Sequence, residues 1–426
     1  MRSTNITRLA KNFDYSLLFS AIAILAVGLL SIYSSTKTKA LSHNDFYKQL
    51  IFFPPAMIAC FAVASFDYYK LRAYSKYIYW FNVALLAFVL LIGHSAYGAQ
   101  RWIGIGGIAI QPSELAKLAL IITIADLLVK RVPQTMKELL PVFGHFIIPA
   151  LLIFKQPDLG TTLSLVGIMM GMLYGSGTHI LVFSILVSPA FSAALSFINF
   201  PLWIIYLILV FCGTIYYITT KKNIANKFSF QFSHIKYFSI LVINIASGLA
   251  GPIIWGLLKE YQKNRVRIFL NPNLDPLGAG YHISQSQIAI GSGGVSGKGL
   301  FQGTQTQLNF IPFQHTDFIF CTISEEFGFI GGIVLLLMFL YLIGRGLYIA
   351  SQAGDDFGRY VAIGIVTMYI FHIFVNIGMV SGILPAKGLP LPLMSYGGTF
   401  LIITMTSIGL LESIAIRRKK MMFTQL

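Results

Sequence analysis

The sequence predicts an all-α polytopic membrane protein, on three observations. Of its 426 residues 56% are hydrophobic and only 11% are charged, and the mean hydropathy is +0.74. Apolar runs of about 17–25 residues, the length that crosses roughly 30 Å of hydrocarbon, recur along the whole chain. The remaining charge is bunched between those runs, at Lys70/Arg72/Lys76, Lys130/Arg131/Lys137, Lys221/Lys222/Lys227 and Arg417–Lys420. A net charge of +16 arranged in this way reads as the positive-inside bias of cytoplasmic loops and not as a nucleic-acid surface. Cys60, Cys212 and Cys321 lie in or beside apolar segments without paired spacing, so neither a disulfide framework nor a metal centre follows from them.

The first run, 15–33, lacks a small-residue cleavage site and is read as a retained span. Runs at 49–66, 77–94 and 113–129 follow. The last opens on Gln111-Pro112-Ser113-Glu114, a helix start with proline and an acid in its first turn. Spans at 142–156 and 161–177 flank the polar break Lys155-Gln156-Pro157-Asp158-Leu159-Gly160-Thr161, and such breaks at membrane depth are tolerated where they line a cavity. Gly171, Gly175 and Gly177 suggest close helix packing. Spans at 179–198, 201–219 and 237–258 come next, then a long polar connection, then 327–348, 360–382 and 393–416. A helix running unbroken from Thr316 to Tyr348 would be about 50 Å long, too long for one bilayer. The span therefore starts near Phe327, leaving Asp317, Glu325 and Glu326 at the outer interface. With about twelve spans and the N-terminus inside, the basic clusters fall in the cytoplasm and the 259–326 connection falls outside.

That outer connection is the first place to look for chemistry. Between Asn271 and Phe320 it is polar and Gly-rich for about fifty residues, and a connection this long is uncommon unless it builds a site. Asp275 is followed by Pro276, which extends its backbone, and by glycines that let a ligand approach. It reads either as a general base for a hydroxyl or as a turn-shaping residue. Glu114 and Lys117, three apart on a helix, share a face and read as an intramembrane salt bridge, as substrate-positioning groups, or as both. Asp158 reads as cavity lining or turn geometry. The stretch Ile290–Gly299 lacks phosphate-loop spacing; its amides and Lys298 suit either a phosphate or a flexible linker. His282 and His315 have no ligand spacing and are read as hydrogen-bonding residues.

Taken together, QPSELAK, QPDLGTT, DPLGAGYHISQSQIAIGSGGVSGKG, GTQTQLNFIP, HTDFIF and SGILPAKGLPLPLMSYGG resemble the SEDS family of bacterial cell-shape, division and sporulation proteins, with the GTQTQLNF block nearest its RodA branch. The resemblance covers nearly the whole chain, with its blocks in the family's order. It implies one integral membrane domain over 1–426, a core of about ten spans, a large extracytoplasmic catalytic loop at 259–326, and an inserted hairpin with its basic loop at 179–236. It also implies a glycosyltransferase in the bacterial inner membrane that polymerises lipid II on the outer face and releases undecaprenyl diphosphate. Its expected partners are a class B penicillin-binding transpeptidase and other membrane proteins of the elongation complex.

By matching motif, Asp275 takes the place of the family's essential aspartate, and Glu114 and Lys117 that of its paired acid and lysine. Arg101, Asp158, Lys298, His315, Asp317 and Ser395 fall in matching motifs. The attack of a sugar hydroxyl on an anomeric carbon needs a base, here Asp275, and cations on the departing diphosphate. The candidate cations are Arg101, Lys117, Lys155, Arg265 and Lys298. Mg²⁺ or Mn²⁺ could share that charge, although the sequence offers no dedicated ligand set. One departure from the family stands out: Phe313 occupies the position of the usual acid in Pro312-Phe313-Gln314-His315. It keeps a non-catalytic scaffold among the readings, beside a flippase for the lipid-linked precursor.

Overall fold

The computed structural model describes residues 12–37, 43–92, 94–96, 99–105, 108–222, 227–257, 260–270, 274–275, 279–385 and 388–421. Each predicted span falls on a helix: α1 (Tyr15–Thr36), α2 (His43–Ser65), α4 (Ser75–Ile92), α5 (Pro112–Lys130), α6 (Met136–Lys155), α7 (Leu159–Gly175), α8 (Ile180–Ile198), α9 (Phe200–Lys222), α10 (Lys227–Leu257), α15 (Gly328–Ser351), α16 (Asp356–Val380) and α17 (Gly398–Met421). A short α3 (Tyr69–Ala73) precedes α4. Among the described residues six helices are long and apolar enough to cross a membrane, and five more are apolar but shorter. The chain is a multi-pass membrane protein.

Helix α5 belongs to neither group, because it carries Glu114, Lys117, Asp126 and Lys130. Yet 15 of its 19 residues are buried. It packs against α4, α7, α16 and α17, which shield its charged groups from lipid. Glycines set how closely the other helices approach. A Cβ on Gly171 would lie 2.2 Å from Thr367 of α16, and one on Gly175 2.7 Å from Ile363. Gly409 of α17 meets the Cys60 carbonyl of α2 at 2.3 Å in the same sense. Gly177 does something else: with φ at +82° and open space around its Cα, it ends α7 instead of packing it.

The structure departs from the sequence-based expectation in three places. The strands β1 (His94–Ala96), β2 (Ala99–Ile105) and β3 (Ile108–Ile110) form an antiparallel meander, with Ile103 opposite Ile110. Three to seven residues per strand carry too little alternation to be seen beside strong helical runs. The last span begins at Gly398 and not at 393, because 393–397 forms a turn held by the Ser395 hydroxyl. The long polar connection is largely folded, into α11 (Glu260–Leu270), α12 (Ala279–Ser292), α13 (Thr304–Gln307) and α14 (Ile319–Glu326). The helix does break before α15, at Gly328 with φ +64°. Glu325 and Glu326, expected at the interface, are buried in protein.

The chain divides into two units. The larger holds the described residues up to Pro133, Lys137–Gly177 and those from Arg267 onward; the smaller holds Gln134–Met136 and Thr178–Val266. The smaller unit has a polar centre in which Ser192 donates to the Asn244 carbonyl at 2.6 Å and accepts from the Trp203 indole at 2.8 Å.

The glycine contacts predict opposite outcomes at two positions. Gly409→Ala forces α17 off the α2 backbone and should destabilise the detergent-solubilised protein by about 1–3 kcal/mol. Gly144→Ala, with nothing within 4 Å of the added carbon, should leave thermal melting unchanged or raise it.

Candidate active site

Helix α5 starts where Pro112 takes the first helical position, with Gln111 in extended backbone before it. This brings Glu114 into the first turn and Lys117 one turn on, with Nζ 2.7 Å from Glu114 Oε2 and side-chain exposures of 5% and 0%. The ammonium also lies 3.1 Å from His372 Nε2 and 5.1 Å from the Phe400 ring centroid. A lysine ammonium only donates, so His372 Nε2 accepts; Nδ1 therefore carries the proton and donates to the Pro390 carbonyl at 3.1 Å. The hydrogen bonds thus fix a neutral imidazole, and Lys117 joins α5, α16 and the 388–397 segment.

Asp158 caps α7. Its carboxylate accepts from the Thr161 amide at 3.0 Å and hydroxyl at 2.9 Å, and from Gln111 Nε2 at 3.2 Å. Strand β2 delivers Arg101 to the same spot. Its Nε donates to the Gln156 carbonyl at 2.9 Å, its terminal nitrogen to the Pro157 carbonyl, and its guanidinium stands 3.9 Å from Asp158. The sheet that the sequence reading lacked is therefore what holds Arg101 over the α6–α7 break.

Two facing loops complete the wall. Ser395 donates to the Thr316 carbonyl at 2.6 Å and accepts from the Leu391 amide at 2.8 Å, while the Tyr396 amide donates to the His315 carbonyl at 2.9 Å. His315 Nε2 lies 3.7 Å from Asp45. Asn376 of α16 donates to the carbonyls of Asp317 and Leu389, fixing Asp317 from behind. Burial, and next the charge of Asp158, push the Asp317 carboxyl up to about 6. Gly388, at φ +62°, leaves room for it, since a Cβ there would sit 3.1 Å from Asp317 Oδ2.

These elements enclose a cavity of about 640 Å³ whose lining includes Asp45, Arg101, Glu114, Asp158, His315 and Asp317. Four carboxylates thus face one guanidinium, with Lys117 sealed beneath. Among the described residues no group of three or more His, Cys, Asp or Glu could hold a metal ion. Among the described residues the side chains thus form no dedicated Mg²⁺ or Mn²⁺ site.

Several sequence candidates lie elsewhere. Lys117 and Ser395 are buried behind the wall, so they hold it in place and do not themselves line it. Lys155 is exposed at the end of α6, and the side chain of Arg265 lies outside the described residues. Asp275 is half-buried and outside the described lining. Burial lowers the His282 pKa, and the neighbouring Asp275 charge opposes that shift. His282 in turn packs against Phe318, centroids 6.4 Å apart, next to Asp317.

Lys298 is committed to a different role, with Nζ 2.8 Å from Glu325 and 2.7 Å from the Thr304 hydroxyl. Burial alone would raise the Glu325 carboxyl, but Lys298 and the Gln305 and Thr306 amides outweigh it and hold it below the usual range. The Gly-rich stretch packs its backbone against α14 and the start of α15. The amides of Lys298 and Gly299 donate to the carbonyls of Glu325 and Glu326 at 3.0 Å, and a Cβ on Gly293 would lie 1.9 Å from the Ser324 oxygen. Gln314 is buried, donating to the Ser35 carbonyl at 2.6 Å, while Phe313, at φ +54°, lines the cavity. His372 and Asn376 were missed by sequence reasoning; both are polar residues within an apolar run, a signal in its own right.

The model of the FtsW, RodA and SpoVE family, described as cell cycle protein, matches residues 14–223 and 224–420. The chain is 35% identical over 428 residues to the peptidoglycan glycosyltransferase RodA of Treponema pallidum, covering 96% of this chain and 98% of that protein. It is 39% identical over 350 residues to the peptidoglycan glycosyltransferase MrdB of Escherichia coli K12, covering 82% and 79%. A solved structure described as the structural coordination of polymerization and crosslinking by a peptidoglycan synthase complex contains a similar chain. Its TM-score is 0.72 at 26% identity, with 96% of this chain and 99% of that one covered. The crystal structure of the Thermus thermophilus rod shape determining protein RodA shares the fold, with a TM-score of 0.62 at 23% identity and 96% and 98% coverage.

The geometry yields two expected outcomes. Breaking the buried pair with Glu114→Gln or Lys117→Met should each destabilise by about 3–5 kcal/mol, and the double substitution should recover much of that loss in thermal melting. For Asp317 the folded pKa lies above the unfolded one, so its favourable contribution is complete below about 4 and gone above about 6. Asp317→Asn should therefore melt higher than wild type at pH 8, with the difference vanishing as the pH falls to about 4.

Proposed function

We infer that this chain, which belongs to the FtsW, RodA and SpoVE family of cell cycle proteins, is a peptidoglycan glycosyltransferase that polymerises lipid II into glycan strands for cell-wall elongation. One observation supports the chemistry most directly: a polar cavity with buried carboxylates and a fixed guanidinium, built inside a membrane bundle where such groups are costly. The protein belongs in the inner membrane with this cavity on the extracytoplasmic side, which fits the basic clusters at 70–76 and 130–137 and their distance from the cavity along α4 and α5.

The reaction joins the 4-hydroxyl of an acceptor sugar to the anomeric carbon of a lipid-linked donor. The hydroxyl proton passes to Asp275 as the new O–C bond forms. The bond from the anomeric carbon to the diphosphate oxygen breaks, and its electron pair leaves with undecaprenyl diphosphate. Displacement without a covalent sugar–enzyme intermediate inverts the donor configuration. Arg101, the guanidinium on the cavity wall, takes the charge developing on the diphosphate. Asp158 and the two backbone carbonyls hold that guanidinium in direction. Lys117 acts through Glu114, holding its carboxylate in place on the cavity wall. Lys298 is spent on Glu325 and supports the 293–307 segment instead of the leaving group. Asp275 acts from beside His282, which packs on Phe318 next to Asp317. A class B penicillin-binding transpeptidase crosslinks the product strands, in keeping with the polymerisation and crosslinking complex that contains the similar chain.

The test is polymerisation of lipid II by the purified chain in detergent, where no membrane needs crossing and transport alone yields no glycan. Wild type should form chains. Asp275→Asn should lower the rate by about 10²-fold or more with melting unchanged, and Arg101→Ala should lower it by about 10-fold or more. Near wild-type polymer from Asp275→Asn would remove that residue from the mechanism. No polymer from wild type, alone or with the transpeptidase, would leave a scaffold or a flippase.

A further inference from the structure

A second cavity, of about 1090 Å³, lies at the far end of α5, framed by α3, the first turns of α4 and the last turns of α5. Glu114 and Asp126 share that helix, and their separation amounts to about 18 Å at 1.5 Å per residue. The two cavities are therefore distinct. The charged residues lining this one are Lys70, Arg72, Lys76 and Lys130, against the single carboxylate of Asp126. Asp126 is buried and already committed: Arg72 Nε is 3.3 Å away, Lys130 Nζ 2.6 Å and the Ser75 hydroxyl 3.1 Å. It aims two of the cations without neutralising the group. Lys70 and Lys76 stay exposed and are not among its partners.

Aromatic rings supply the rest of the wall. Tyr77, Trp80 and Phe81 are 74%, 60% and 66% exposed, and all three line the cavity. They sit on the first turns of α4, an apolar helix. Cations at a helix end with aromatic rings one to two turns further in match the layering of a bilayer surface, where phosphates lie outside the start of the acyl chains. A soluble anion would use the cations and leave the rings idle.

We propose that this cavity binds an anionic phospholipid. Lys70, Arg72, Lys76 and Lys130 surround its phosphate, and Trp80 and Phe81 pack against the first carbons of its chains. The site is separate from the catalytic cavity, so its test needs no activity. The purified full chain is titrated in detergent with short-chain phosphatidylglycerol, short-chain phosphatidylcholine, inorganic phosphate and a polyprenyl diphosphate, and binding is read by thermophoresis. Phosphatidylglycerol should bind about tenfold or more tighter than phosphatidylcholine. The double variant Lys70→Gln/Lys76→Gln, which leaves Asp126 its partners, should lose about tenfold of that affinity at unchanged melting temperature. Trp80→Ala/Phe81→Ala should weaken phosphatidylglycerol binding and leave inorganic phosphate unaffected. Equal binding of the two phospholipids, or no change in Lys70→Gln/Lys76→Gln, would overturn the proposal. So would inorganic phosphate binding as tightly as the lipid, or a stronger preference for the polyprenyl diphosphate.

Discussion

A full charge pair enclosed in the middle of a membrane bundle is the constraint from which the rest of this structure is organised. Lys117 has no exposed side-chain surface, and an unpaired ammonium there would be prohibitively costly, so Glu114 must stay within reach. Keeping it there requires α5 to start at Pro112, α16 to present His372, and the 388–397 segment to present the Pro390 carbonyl. Each of those elements also carries a cavity residue or the support of one: Glu114 itself, Asn376 behind Asp317, and Gly388 in front of it. The pair thus fixes the cavity from below, with Glu114 on its wall and Lys117 sealed behind it.

A second buried carboxylate does similar work for the polar connection. Glu325 accepts from Lys298, from the Thr304 and Thr306 hydroxyls and from the Gln305 and Thr306 amides. Two segments of a connection that composition marks as loop, at Lys298 and at Thr304–Thr306, are gathered on one side chain. Around it the glycines permit backbone contact: the Gly294 and Val295 carbonyls accept the Phe329 and Ile330 amides that begin α15. A segment that reads as flexible is among the more tightly bonded parts of the chain, because glycine frees the backbone both to move and to pack.

Much of the site was legible as single residues. Pro112-Ser113-Glu114 announces a helix start, Glu114 and Lys117 a shared face, and Asp158 a polar break between spans. What spacing could not supply was commitment. Lys298 and Lys117 look alike as candidate anion ligands, yet one is tied to Glu325 and the other sealed under Glu114. Arg101 has the same sequence credentials and reaches the cavity wall, because a three-stranded meander carries it there. Ser395 falls in a matching motif in sequence, and in the fold its hydroxyl is used in both directions to join two loops. His372 was overlooked because its run is so apolar, although that context is what makes a histidine there expensive.

By itself the sequence determined the class, the order and approximate placement of the spanning helices, and the set of ionisable groups that a membrane would not tolerate without purpose. These follow from periodicity, hydrophobic length and charge distribution, which are local properties of the chain. Only the tertiary structure decided which of those groups face the cavity and which are consumed in holding it open. That depends on contacts between residues up to hundreds of positions apart, such as Lys117 with His372 and Lys298 with Glu325. Pairing energy in a low-dielectric interior falls off over a few ångströms, so the choice between a ligand and a strut is made by packing and leaves no mark in spacing.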